Sequence, residues 1–352
     1  MKKKYLATIF AVLAALLYAI NIPLSKLLLQ VVEPAMMAAL LYLGAGIGMF
    51  LCGMGSKEET VPLGKRDWPY VVGMVVLDIA APILLMLGLQ RSDAANASLL
   101  NNFEIVATSL IAFFAFREVL SKRLVLAILL VTVAGAVLSF EGTGSFRFSS
   151  GSLLVLGAAC CWGLENNCTR MLSNRSSQQI TTIKGLFSGL GSLGVAFLMG
   201  ESFPARRWIL AVLALGFVAY GLSINFYIKA QKDLGAAKTS AYYSLAPFLG
   251  VLFGISLLGE RPAVQFYLGL GIMAAATVLL ILDNISLQHS HEHSHSHNHA
   301  HSHGDLTHSH VHSHTHTHSH THGQEESCHD HNHSLHEEHN HNHHEKGNEG
   351  ET

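Results

Sequence analysis

Long apolar runs separated by short polar loops fill the first 282 residues of this 352-residue chain. Ten runs fall at about 5–29, 35–53, 69–89, 95–116, 123–140, 151–173, 180–199, 208–231, 237–258 and 263–282. Each is close to the roughly 20 residues that an α-helix needs to cross a ~30 Å hydrocarbon core. The pattern predicts an all-α membrane protein of ten transmembrane helices. Beyond residue 288 the pattern ends, and histidine alternates with small polar residues.

The apolar region is written twice. Residues 88–140 align without a gap onto 230–282 at a constant offset of 142, so that Ala94, Ala95, Ser98 and Glu118 fall on Ala236, Ala237, Ser240 and Glu260. At an offset of 144, Tyr18, Asn21, Ser25 and Lys26 fall on Trp162, Glu165, Thr169 and Arg170. The expected domains are a first repeat at 1–141 with helices one to five, a second at 142–284 with helices six to ten, and a tail at 285–352. Five is an odd number, so the two five-helix repeats must be inverted relative to each other. Many carriers build a two-sided pathway from such a unit, with the binding site between the halves. Transport is therefore the leading expectation.

Composition agrees: half the residues are hydrophobic and 13% are charged, where soluble domains carry about a quarter. Charge is divided unevenly. Through residue 288 the chain holds 21 Lys and Arg, 14 Asp and Glu and no histidine, a formal charge of +7. The remainder holds one Lys, 10 Asp and Glu and all 24 histidines, at −9. Lys2, Lys3 and Lys4 ahead of an apolar run look like a signal peptide. That run has a counterpart at 151–173, however, and a cleaved leader would not be duplicated. With the N-terminus in the cytoplasm, fourteen Lys and Arg fall in cytoplasmic loops and six opposite, which favours that orientation. Ten spans return the chain to the same side, so the expected location is the cytoplasmic (inner) membrane with both termini cytoplasmic. Cys52, Cys160, Cys161 and Cys168 lie on spans or their ends and read as small apolar residues, while Cys328 stands among tail histidines.

Three acids, Asp78, Glu104 and Glu165, sit deep in expected spans. A charge at mid-bilayer costs about 2.5–3.5 kcal/mol on insertion scales, so such groups should face the bundle interior, paired or protonated. Asn101, Glu104 and Thr108 share one face of the fourth helix at i, i+3 and i+7. Trp162, Glu165 and Thr169 do the same on the sixth, and Tyr18, Asn21 and Ser25 on the first. The run Glu165-Asn166-Asn167 is too polar for a lipid-facing turn. The expected substrate and coupling residues are Glu165, Glu104, Asn101, Asn166, Asn21, Trp162, Asp78 and Lys184. Glu165 or Glu104 is expected to exchange a proton in alternation with cargo; the plainer reading is a structural interhelical hydrogen bond. Lys184, early in the seventh helix, either neutralises one of these acids, contacts an anionic cargo or snorkels to the cytoplasmic surface. Asp78, one turn before Pro82, either joins the site or satisfies backbone groups that the proline frees. Asn225, Tyr242 and Tyr243 are further candidates for cargo contact.

Glu118 and Glu260, at span ends, are expected to cap and lock the repeats. Glycines at 44, 46 and 48, and at 185, 189, 191 and 194, fit close helix approach. No nucleotide-binding loop and no Ser-His-Asp set is present in the body. No catalytic residue and no cofactor required for transport is expected, and the chain is not read as an enzyme.

Ala94-Ala95 and Ala236-Ala237 open the fourth and ninth spans, and Arg117-Glu118 and Gly259-Glu260-Arg261 close them. Tyr18-Ala19 and Trp162-Gly163 lie on the first helix of each repeat, and Ala246-Pro247 lies within the ninth span. Together they resemble the drug/metabolite transporter superfamily, in particular its EamA-type domain. The resemblance covers 5–282 and implies a ten-helix carrier of small metabolites, with the cargo open. Two positions depart from it. Leu41-Tyr42 stands where an arginine is often seen on the second helix, and Glu104-Ile105 where a proline is expected in the fourth.

The tail carries His289, His291, His293, His295, His297, His299, His301 and His303, then His308, His310, His312, His314, His316, His318, His320 and His322, and a looser cluster from His329 to His344. No hydrophobic core can form there, so a disordered C-terminal tail is expected. Neutral imidazoles in a flexible array suit Zn, Ni, Co or Cu ions. A second reading is pH sensing, since about a quarter of the imidazoles carry a proton at pH 7 at their unperturbed pKa. The expected partners are the lipid bilayer, a small-molecule substrate and transition-metal ions, with no nucleic acid; a homodimer stays open. The leading function is a proton-coupled metabolite carrier. The alternatives are a divalent-metal transporter and a membrane metal sensor or buffer that transports nothing.

Overall fold

A computed structural model describes residues 2–53, 63–117, 120–139, 149–172, 176–303 and 306–321, with the backbone alone from 284 onward. The first span is two pieces, α1 (Lys2–Ala19) and α2 (Asn21–Leu28), and α3 (Pro34–Gly53) and α4 (Trp68–Leu89) are the second and third. The fourth is again two pieces, α5 (Ala94–Leu100) and α6 (Phe103–Phe116), and α7 (Lys122–Ser139) closes the first repeat. In the second repeat, α8 (Ser150–Arg170) and α9 (Ser177–Leu198) are the sixth and seventh spans. The eighth joins α10 (Arg206–Gly216) to α11 (Ser223–Leu234) through a π-helical turn at Phe217–Leu222. The ninth is α12 (Ala236–Tyr243) with α13 (Ala246–Leu258), and the tenth is α14 (Val264–Leu287).

All ten expected helices are present. By length and composition nine of the described helices qualify as membrane spans. The remaining one, α8, is diluted by Glu165, Asn166 and Asn167, and it is packed among α4, α5, α6 and α7. A helix shielded by protein can carry polar groups that lipid would not accept.

Helix breaks lie at matching positions in the two repeats. The fourth span turns at Asn101 and Asn102, and the ninth at Ser244 and Leu245, where Asn102 and Ser244 are 142 residues apart. Pro247 opens α13 in the first turn, where its missing N–H removes no helical bond. Ile105 occupies the matching place in the fourth span, which bends without a proline. The first span also breaks, at Ile20. These interruptions were not read from the apolar pattern, although Pro23 lies three residues past Ile20 and cannot donate back to Ala19, and Pro247 marks the ninth span.

Packing between the repeats follows a pseudo-twofold axis. The second span packs on the seventh, the fourth on the ninth and the fifth on the tenth, each pair its own symmetry mate. Contact of third with sixth is matched by eighth with first, fourth with sixth by ninth with first, and second with eighth by seventh with third. Partners separated by five spans run in opposite directions, so the repeats are inverted. At the crossing of the second and seventh spans, a methyl group on Gly46 or Gly185 would run into the other helix's backbone. Gly44 and Gly216 bring the second and eighth spans equally close. Gly194 departs from the expectation: it has open space beside it.

At the end of the bundle away from the termini, carboxylates tie the repeats together. Glu201, after the seventh span, accepts from Ala35 N (3.1 Å) and Met36 N (2.6 Å) at the start of the second. Glu33 accepts from Ser202 N at 2.8 Å in return. Glu260, after the ninth span, accepts from Ala94 N (2.6 Å) and Ala95 N (2.8 Å) at the start of the fourth. Lys26 lies 3.9 Å from the same carboxylate and donates to Ser92 O. A carboxylate here meets both the unpaired N–H groups and the positive end of the helix dipole. Glu118, the repeat mate of Glu260, lies outside the described residues.

Beyond α14 the described backbone forms an antiparallel two-stranded ribbon, β1 (Gln288–His303) and β2 (Leu306–Thr321). Its register sets histidine against histidine at every second position, as in His295 with His314. The alternation has the period of a strand, two residues. The tail's side chains lie outside the described set, and with them the expected metal ligands His289 to His322.

Candidate functional site

The buried acids converge on one lysine. α8, α9 and α4 bring Glu165, Lys184 and Asp78 together, with Lys184 Nζ 2.9 Å from Glu165 Oε2 and 3.4 Å from Asp78 Oδ2. Asp78 is 0% and Glu165 1% exposed, and the lysine side chain is 24% exposed. Lys184 thus bridges two acids and does not snorkel to the surface. Asp78 is likewise a member of this cluster and not a partner for the backbone near Pro82. Its Oδ1 accepts from Tyr42 Oη at 3.0 Å, and Tyr42 Oη in turn accepts from Trp162 Nε1 at 3.2 Å. Thr169 donates to Glu165 Oε1, one turn away on the same helix.

Glu104 belongs to a second group. Its Oε1 accepts from Asn166 Nδ2 at 2.7 Å, and the same amide reaches Thr108 Oγ1 at 3.2 Å. Asn167 Nδ2 donates to Thr108 O (3.2 Å) and Gly163 O (2.8 Å), fastening the sixth span to the fourth. The expected single face of Asn101, Glu104 and Thr108 is therefore split. The break at Asn101 and Asn102 turns Asn101 towards the first span, where its Nδ2 lies 3.3 Å from Tyr18 Oη.

Tyrosines form a third group beside these. Tyr18 packs edge-on to Tyr220 (centroids 6.1 Å, 81°) and tilted on Tyr243 (5.5 Å, 42°). Tyr220 also packs on Tyr42 at 5.6 Å, and Tyr243 on Tyr227 at 5.1 Å. Asn21 donates from Nδ2 to Tyr220 Oη at 2.8 Å and accepts from Ser25 Oγ at 3.3 Å. All eight expected site residues thus lie in one connected centre. Tyr42 and Tyr220 were missed. Tyr42 had one signal, since with Leu41 it stands where the resemblance places an arginine; Tyr220 had none.

Four described cysteines, Cys52, Cys160, Cys161 and Cys168, are free thiols. Among the described residues, no three His, Cys, Asp or Glu side chains gather as a metal site.

Inverted five-helix repeats enclosing a polar, charged centre in an apolar bundle are the architecture of a membrane transporter. The model of the EamA-like transporter family matches residues 5–140 and again 149–282, and the chain belongs to that family. Among its relatives is an uncharacterized transporter of Methanothermobacter thermautotrophicus, 27% identical over 270 residues, covering 70% of this chain and 78% of the relative. The uncharacterized inner membrane transporter YedA of Escherichia coli is 22% identical over 257 residues, covering 71% and 82%. A solved crystal structure shares the fold at TM-score 0.59 and 19% identity, covering 80% of this chain and 97% of its own.

Proposed function

We propose that this transporter is a secondary carrier that moves a small organic metabolite across the cytoplasmic membrane in exchange for protons, with both termini in the cytoplasm. One observation carries the reading: three carboxyl groups, Asp78, Glu104 and Glu165, share the centre with a single lysine. With all four groups ionised the centre holds two uncompensated negative charges, a costly state in a low-dielectric interior. Protons or a charged cargo restore the balance, and a carboxylate occupied by one is closed to the other. That competition is what couples the two fluxes. The pseudo-twofold frame supplies alternating access, because exchanging the conformations of the two repeats moves the opening from one face to the other.

The tail is read as a collector of Zn, Ni, Co or Cu ions on the cytoplasmic side, through the histidines at alternate positions from His289 to His322. It does not define the cargo. The test of the carrier reading is proton movement in vesicles containing the full-length protein, with a pH-sensitive dye inside. Cargo added outside is expected to drive proton flux in the parent protein and not in Glu165→Gln. Equal flux in both overturns the assignment of Glu165 as the coupling group.

A further inference from the structure

Lys184 is committed to Asp78 and Glu165. Glu104 receives only an amide N–H from Asn166, and among the described residues no cation pairs with it. Asn101 links it to the first span, its carbonyl accepting from Glu104 N and its amide facing Tyr18, and Tyr18, Tyr220 and Tyr243, packed edge-on or tilted, lie within electrostatic reach of the carboxyl group. Those rings and the Glu104 side chain are half-buried, which leaves surface open to a guest. Asn101 adds an independent sign. The residue is 7% exposed, and its Oδ1 is a buried acceptor with no hydrogen-bond partner, while its Nδ2 faces Tyr18 Oη. A desolvated acceptor without a donor is costly unless something supplies an N–H or a positive charge.

We propose that the cargo is an organic ammonium ion whose cationic head sits against Tyr18, Tyr220 and Tyr243, with Glu104 as its counter-charge and Asn101 Oδ1 as its acceptor. Tyrosine faces attract a cation through their quadrupole, most strongly where water is excluded. The inference rests on the carrier reading above and gives it a substrate class. An ammonium head at Glu104 cancels one of the two excess charges, and a proton cancels the same charge on the return step. The exchange then moves one positive charge in each direction.

Calorimetric titration of the full-length protein in detergent tests this without any flux. Choline is compared with its uncharged carbon isostere dimethylbutanol, and phenethylammonium with phenethyl alcohol. At least one cation is expected to bind about tenfold or more tightly than its uncharged counterpart. Tyr18→Leu and Glu104→Gln are each expected to erase that preference, and Tyr18→Phe, which keeps the ring, to preserve it. Equal binding of charged and uncharged partners overturns the proposal, and so does binding of neither pair. The wild-type comparison needs no variant to fold. If the cation preference is absent while Glu165-dependent proton flux persists, the carrier reading stands and only the substrate class falls.

Discussion

Glu260 and Ala95 belong to different repeats, yet the carboxylate Oε2 of one lies 2.8 Å from the backbone N of the other. Its second oxygen holds Ala94 N at 2.6 Å, so a residue that ends the ninth span starts the fourth. Removing the side chain leaves two helix-end donors without partners in a water-poor setting. Glu260→Ala is expected to destabilise the protein by about 1–3 kcal/mol, and Glu260→Gln, which keeps one acceptor, by less. Thermal unfolding of the purified protein in detergent checks the order. Equal melting of Ala and Gln variants would show that neither charge nor acceptor matters there.

The lysine between Asp78 and Glu165 allows a sharper test. Lys184→Met leaves two buried carboxyl groups facing each other, and breaking a buried pair in this way costs about 3–5 kcal/mol. Adding Glu165→Gln to Lys184→Met is expected to recover part of that loss, because one of the two leftover acids goes with it and Asp78 no longer faces a like charge. The double variant should melt above the single one and still fail to move protons. Additive losses in stability would mean that the groups do not interact.

Gly46 and Gly185 predict a steric contrast with Gly194. Gly185→Leu forces apart the crossing of the second and seventh spans, and is expected to abolish folded protein or transport. Gly194→Ala, with open space around it, is expected to be neutral or up to about 1 kcal/mol stabilising, since alanine is the better helix former. Yield of monodisperse protein after size-exclusion chromatography separates the two.

A fourth expectation concerns the tail. Full-length protein should bind several Zn or Ni ions per chain, and a version ending at residue 284 should lose that uptake, as read by equilibrium dialysis. Retention of the metal by the shortened chain would place the ligands in the membrane body.

Much of this architecture was legible in the residues. Hydropathy located the spans, and the duplication set their number and inversion. It even secured α8, whose Glu165-Asn166-Asn167 run leaves it too polar to qualify on composition. The break at Asn101 was hidden in an apolar run without a proline, whereas Pro23, which cannot donate back to Ala19, was a local sign of the break at Ile20 that went unused. Asp78 and Lys184 were visible as charges out of place, but their pairing needed the fold. Tyr42 and Tyr220 were not singled out, since a tyrosine in an apolar span usually only packs. Their hydroxyls acquire meaning when Asp78 and Asn21 are seen opposite them.

The matched positions of the two repeats no longer carry matched chemistry: Glu104 answers Ala246, Asn101 answers Tyr243 and Asn21 answers Glu165. A perfectly twinned machine would rest equally well facing either compartment. Here the polar groups at matched places differ, so that equivalence is not built into the residues of the centre.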